Sequence, residues 1–188
     1  DNQESGVVIL DELQVNIPEQ RLQQAKRAAE VLGDDIFDKF PFMPGMQPMH
    51  SDLGELILNR TWRPSLSITG IDGIPSLNDA GNVLRPFTAV KISLRLPPML
   101  EPDAAGNFVK KILESNPPFG AKVSFELEKA STGWNAPELA PWLETAIENA
   151  SQASFGAPAM YMGEGGTIPF MGMLGEKFPG AQFMITGV

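Results

Sequence analysis

Three separated segments of this chain alternate polar and apolar side chains with a period of two, the pattern of strands that bury one face. They cover residues 65–69, 89–96 and 123–128. A helical pattern begins near Pro102, between the second and third segments, and prolines at 117 and 118 end it. Its apolar stripe consists of Phe108, Val109, Ile112 and Leu113. One-faced strands with a helix across their apolar side predict an α+β two-layer sandwich with helices on one face of an antiparallel sheet.

The pattern changes after Gly133. A helix led by Pro137, a strand at 158–162, a short helix near 168–177 and an apolar strand at 181–186 are predicted there. Such an alternation of helices and strands is typical of a parallel sheet in an α/β domain. Ligands of open α/β sheets bind beyond the carboxyl ends of the strands. The chain stops at Val188, directly after the last predicted strand, so we expect a functional loop to be missing.

Composition limits the chemistry of the chain, because it contains one histidine, His50, and no cysteine. A structural zinc site usually takes four cysteine or histidine ligands, and a catalytic one takes three protein ligands. No Cys–His or Ser–His–Asp arrangement is found either, and we interpret His50 as a solvated surface residue in a loop. We therefore predict neither catalytic residues nor metal ligands in this chain.

Charge and hydropathy exclude two classes of partner. The net charge is -9 without a cluster of basic residues, which argues against nucleic acid and anionic membranes. The sequence contains no run of eighteen or more apolar residues that could cross a membrane. Its acidic start lacks the basic and then apolar regions of a signal peptide. The absence of cysteine is compatible with a reducing compartment, and we predict a cytoplasmic location.

A glycine-rich turn is the strongest ligand-binding signal. Gly165, Gly166 and Thr167 follow an apolar run and precede a predicted helix. Glycines let backbone N–H groups approach a ligand closely, and a helix N-terminus adds partial positive charge. Such a turn can hold a carboxylate or a phosphate, although an ordinary strand-to-helix turn fits the spacing equally well. The dinucleotide and P-loop glycine patterns are not matched.

Three stretches, read together, resemble one family. They are Thr-Trp-Arg-Pro-Ser-Leu-Ser-Ile-Thr-Gly-Ile-Asp-Gly at 61–73, Ile-Ser-Leu-Arg-Leu-Pro-Pro at 92–98 and Gly-Glu-Gly-Gly-Thr-Ile-Pro at 163–169. In this order they are similar to the two-zinc metallopeptidases that include carnosinase-type dipeptidases, aminoacylases and succinyl-diaminopimelate desuccinylase. The carnosinase-like branch is the most similar. The resemblance is good from about residue 60 onward and loose before it.

The resemblance implies a domain organisation. In that family, a lid or dimerisation domain of ferredoxin-like α+β build is inserted into an α/β catalytic domain. Residues 1–133 would form most of the lid with its hinge region, and residues 134–188 would belong to the catalytic domain. The expected fold is therefore a ferredoxin-like sandwich followed by a partial α/β segment. The family's zinc ligands are not visible here, so we expect an inactive internal fragment that binds no zinc.

Two contacts to substrate carry over from the resemblance. Arg95, in Ser-Leu-Arg-Leu-Pro, matches a lid arginine that binds the substrate's C-terminal carboxylate, and a planar guanidinium suits that group through two parallel hydrogen bonds. The alternative is an exposed strand charge beside Lys91. Thr167, with the amides of Gly165 and Gly166, matches the turn that receives the same carboxylate.

Asn82 falls where the family places a polar lid residue that reaches into the partner subunit's site. This match depends on its spacing from Arg95, and an ordinary turn asparagine is equally compatible with it.

The resemblance also implies an activity. The full-length parent would hydrolyse a peptide or N-acyl amide bond with two zinc ions, a bridging water and a glutamate base outside this chain. The present part would bind the carboxylate of a dipeptide or N-acyl amino acid and form a homodimer. The alternative is a stand-alone ferredoxin-like module that dimerises or binds an acidic small molecule without catalysis. The lack of metal ligands favours the module, and the motif at 163–169 counts against it.

Overall fold

The computed structural model describes residues 6–165 and 169–186, which contain six α-helices and two β-strands. The helices are α1 (Glu19–Leu32), α2 (Asp35–Asp38), α3 (Leu53–Thr61), α4 (Pro102–Ser115), α5 (Pro141–Phe155) and α6 (Pro169–Lys177). The strands are β1 (Ser65–Asp72) and β2 (Ala89–Arg95). Short 3-10 turns lie at Asp11–Leu13 and Pro118–Gly120. None of the described helices is both long enough and apolar enough to cross a membrane.

The two strands form an antiparallel ribbon and confirm two of the three predicted strands. Ser65 lies opposite Arg95, and Asp72 lies opposite Ala89. The register shifts between Ile68 and Gly70. Arg95 is thereby fixed at one end of the ribbon, and the loop of residues 73–88 leaves from the other end.

Helix α4 packs against the N-terminal segment and the end of β2, so only part of the predicted contact between helix and ribbon forms. Val8, Leu13 and Ala105 are buried at this contact. Partly buried apolar side chains surround them, namely Leu10, Leu94, Leu96, Leu100, Phe108 and Val109. The last two members of the predicted stripe, Ile112 and Leu113, stay exposed. The result is an α+β architecture that fits a small ferredoxin-like module, and the predicted fold class is confirmed.

The predicted third strand at 123–128 does not form. The backbone N–H of Phe125 donates to Glu114 Oε1 at 2.7 Å, and its carbonyl oxygen accepts from Lys110 Nζ at 3.1 Å. Glu114 and Lys110 both belong to α4. Their side chains bind the N–H and carbonyl groups of Phe125 that hydrogen bonds of a β-sheet would use. An exposed ion pair, Lys91 Nζ to Glu128 Oε2 at 2.6 Å, connects this segment to β2.

The two strands predicted after Gly133, at 158–162 and 181–186, do not form. The N–H of Ala159 donates to Glu148 Oε2 at 2.9 Å, and Gln182 Oε1 accepts from the N–H of Ala140 at 2.6 Å. Residues 158–162 and 181–186 are therefore tied to α5 and its N-terminus by side chains. The helix itself begins at Pro141 rather than Pro137, because proline is favourable at the first helical position and disfavours helix in the residue before it.

A second apolar core joins α1, α2 and α3. Its buried members are Ala25, Ala28, Ala29, Ile36, Ile57, Leu58 and Trp62. The carboxylate of Asp52 caps α3 by accepting from the N–H groups of Gly54 at 2.8 Å and Glu55 at 3.2 Å. Since Trp62 follows α3 directly, this core fixes the point at which the chain leaves the helix for β1. It also fixes Arg60, in the last turn of α3.

Candidate carboxylate-binding site

Arg95 is the last residue of β2, and its backbone is held on both sides. Ser65 pairs with it across the ribbon, and Pro97, two residues later, is fully buried. The side chain of Arg95 is exposed. Within residues 6–165 and 169–186, no ion pair neutralises this guanidinium. A fixed backbone with an exposed, unpaired cation is suited to binding an anion.

Gly165 meets Arg95 although seventy positions separate them in the sequence. A Cβ added at Gly165 would lie 3.0 Å from Arg95 Nη2 and 2.2 Å from the carbonyl oxygen of Arg60. A side chain at this position would overlap the backbone of α3, so only glycine fits. The lack of a side chain lets the Gly165 backbone approach the end of α3 and the Arg95 guanidinium closely.

The residues before Gly165 run along the end of α3. Arg60 Nη2 donates to Met162 Sδ at 3.6 Å. A Cβ added at Gly163 would lie 3.3 Å from Thr61 Cγ2. The approach of residues 162–165 to Arg95 is therefore set by packing against the last turn of this helix.

The other two members of the predicted turn, Gly166 and Thr167, lie outside the described residues, so their role in carboxylate binding stays a prediction. The helix that the turn was predicted to precede is present as α6, which starts at Pro169. Glu164 is exposed.

Asn82 is exposed in the loop that connects β1 to β2, at the end of the ribbon opposite Arg95. Six residue steps along β2 separate the two ends, which corresponds to about 20 Å. The structure therefore does not bring Asn82 to Arg95 within one chain. Its predicted place in the site of a partner subunit stays a prediction.

Arg60 is a cation at this site that the sequence patterns did not indicate. A Cβ added at Gly165 would lie 2.9 Å from Arg60 Cγ. Its Nε is buried and has no hydrogen-bond partner within residues 6–165 and 169–186. The available signal was its position directly before the matched stretch at 61–73, in the last turn of a helix.

The described residues do not fit a zinc ion. They contain no group of three or more histidine, cysteine, aspartate or glutamate side chains with the geometry to hold a metal. His50, predicted to be a solvated surface residue in a loop, lies outside the helices and strands and is half-buried.

Two concave surfaces lie elsewhere on the chain. One, of about 520 Å³, lies between α1 and α3, and the other, of about 300 Å³, between α1 and α5. Arg27, Glu144, Glu148 and Tyr161 are among the residues that line the second. Burial raises the pKa of the Tyr161 phenol, and the charges of Glu144 and Glu148 raise it further. Neither Arg95 nor Gly165 lines these surfaces.

Two dipeptidases are among the solved structures that are similar to this chain. No protein-family model matches the sequence, and no curated protein matches it. Human carnosine dipeptidase 1 is similar with a TM-score of 0.60 and 21% identity over 92% of this chain and 37% of its own. The di-peptidase Dug1p of Saccharomyces cerevisiae is similar with a TM-score of 0.64 and 21% identity over 93% of this chain and 37% of its own.

The chain has the fold of a part of these dipeptidases. The resemblance to carnosinase-type dipeptidases that the sequence predicted is confirmed at the level of the fold. The chain spans about 37% of the length of each of these two proteins.

Proposed function

We propose that this chain binds the carboxylate end of a dipeptide or N-acyl amino acid as part of a dipeptidase-like hydrolase. The observation that carries the proposal is the meeting of β2 and the glycine turn, where Arg95 Nη2 lies 3.0 Å from the Cβ position of Gly165. The similarity of this chain in fold to two dipeptidases supports hydrolysis as the class of reaction. The parent would hydrolyse a peptide or N-acyl amide bond.

The chemistry of the two groups suits a carboxylate. The guanidinium of Arg95 offers two parallel N–H donors to the two oxygens of a carboxylate, and such charge-assisted bonds are stronger than neutral ones. The backbone at Gly165 adds an N–H with no side chain to obstruct it. Binding at the remote carboxylate would align the scissile bond with the reacting groups of the parent.

The proposal includes two zinc ions in the parent hydrolase, as the sequence resemblance implies. The described residues do not fit a zinc ion, so this chain would contribute substrate binding and would be inactive alone. We propose the division implied by the resemblance, with a lid and hinge at 1–133 and a catalytic segment at 134–188.

We also propose that the lid domain forms a homodimer. Three apolar side chains of the ribbon, Ile68, Ile71 and Val90, are exposed, and exposed apolar groups of this kind are common at protein interfaces. Sedimentation velocity over a concentration series tests this, and we expect a dimer at the higher concentrations. A monomer throughout would contradict dimerisation by this chain.

Binding of a free carboxylate tests the proposed function. We expect N-acetylglycine to bind the chain and N-acetylglycinamide, which lacks the carboxylate, to bind much more weakly in an NMR titration.

Replacing Arg95 with glutamine is expected to weaken N-acetylglycine binding about 10- to 30-fold, the effect of losing a charge-assisted bond. In the full-length parent, the same variant is expected to slow turnover of free-carboxylate substrates and to leave the zinc content unchanged.

Lys111→Gln is the matched control, because it removes an exposed positive charge from α4. Its affinity for N-acetylglycine is expected to stay within about twofold of the wild type, as for most surface substitutions. Equal binding of the acid and the amide, or unchanged binding by Arg95→Gln, would exclude Arg95 as the carboxylate ligand.

A further inference from the structure

We infer that Arg60 gives the carboxylate site a second guanidinium, so that it prefers ligands with two carboxylates. The ligand class is a dipeptide or N-acyl amino acid that ends in aspartate or glutamate. The inference rests on the proposed function, since it takes Arg95 as the ligand of the first carboxylate.

The geometry places both arginines against the same glycine. Arg60 Cγ lies 2.9 Å and Arg95 Nη2 lies 3.0 Å from the point that a Cβ of Gly165 would occupy. One arginine comes from the last turn of α3 and the other from the end of β2. The side-chain stem of Arg60 and the guanidinium of Arg95 therefore both contact Gly165.

The hydrogen bonding of Arg60 is incomplete. Among the residues that the structure describes, its Nε is buried without a partner, and its Nη2 donates to Met162 Sδ at 3.6 Å. A thioether is a weak acceptor, and a buried donor of a charged group without an acceptor is costly. A carboxylate supplies the acceptors and the negative charge that this guanidinium lacks.

The charges around the pair favour an anionic ligand. Arg63, three residues after Arg60, is paired with Glu55, whereas the described residues provide no ion pair for Arg60 or Arg95. Glu164 precedes Gly165, and it is exposed and makes no ion pair within the described ranges. The site is thus locally cationic in a chain whose net charge is -9. A second carboxylate gains a charge-assisted interaction that a neutral side chain does not.

N-acetylglutamate and N-acetylglutamine are the matched probes, because they differ mainly in one carboxylate against one amide. We expect the wild-type chain to bind N-acetylglutamate about tenfold more tightly, the effect of one charge-assisted bond. Arg60→Gln is expected to abolish this preference, so that its affinities for the two probes differ by less than about twofold. Lys111→Gln is expected to keep the preference.

A second readout is independent of how well the variant folds. In the wild-type chain, the Nε–H signal of Arg60 is expected to shift with N-acetylglutamate and to stay in place with N-acetylglutamine. A wild type without preference, or an Arg60→Gln variant that retains the preference, would overturn the inference. So would an Arg60 signal that responds to neither probe or to both equally.

The outcomes separate this inference from the proposed function. If N-acetylglutamine binds in an Arg95-dependent way and N-acetylglutamate binds no better, only the second carboxylate subsite is excluded. If neither probe binds the wild type, both the inference and the carboxylate-binding function are excluded.

Discussion

Replacing Gly165 with alanine is expected to weaken binding of N-acetylglycine about 100-fold or more. The new Cβ would lie 2.2 Å from the carbonyl oxygen of Arg60 and 3.0 Å from Arg95 Nη2, so the turn has to move away from α3. Both proposed carboxylate contacts then change, and each charge-assisted bond is worth about 1.5–3 kcal/mol. The NMR titration measures the affinity, and circular dichroism checks that the helices remain.

Gly163→Ala is the control in the same segment. Its Cβ would lie 3.3 Å from the methyl carbon of Thr61, a side-chain contact that a small adjustment relieves. Its affinity is expected to stay within about threefold of the wild type, in line with mild substitutions. Wild-type binding by Gly165→Ala would show that the fit of this turn against Arg60 and Arg95 does not matter for the ligand.

Trp62→Ala is expected to lower the free energy of unfolding by about 3–5 kcal/mol, the usual cost of truncating a buried large aromatic side chain. Trp62 is 7% exposed and belongs to the core that joins α1, α2 and α3. Domains of this size are stable by about 5–15 kcal/mol in total, so the variant is expected to be partly unfolded at moderate urea concentrations. Urea titration followed by circular dichroism measures the change.

Trp142→Ala is the matched control, because Trp142 lies on α5 and is 67% exposed. Its free energy of unfolding is expected to change by less than about 1 kcal/mol, as for other exposed positions. A similar loss in both tryptophan variants would contradict the assignment of the core to α1, α2 and α3.

The sequence predicted β1, β2 and α4, because alternation located the two strands and the apolar stripe located the helix. Ile68, Ile71 and Val90 of the ribbon are nevertheless exposed, so the alternation indicated the strands without indicating a buried face. The sequence also predicted a strand at 123–128, where polar and apolar residues alternate equally regularly. There, the side chains of Glu114 and Lys110 form hydrogen bonds with the backbone of Phe125. The alternation within residues 123–128 does not indicate these bonds, because their partners lie in α4.

The candidate site was predictable only in part. The position of Arg95 at the end of a strand followed from the alternation, but its approach to Gly165 is a long-range contact that local spacing does not encode. The resemblance to the metallopeptidases pointed to both residues. Arg60 was missed because the burial of its Nε without a partner in the described part of the chain is a property of the packed structure. Gly166 and Thr167 lie outside the described residues.

A crystal structure of the chain with N-acetylglycine tests the central claim most directly. We predict that the carboxylate lies within about 3 Å of Arg95 Nη2 and of the backbone N–H of Gly165, which is hydrogen-bond distance. A carboxylate bound elsewhere on the chain, with Arg95 and Gly165 free of ligand, would contradict the account.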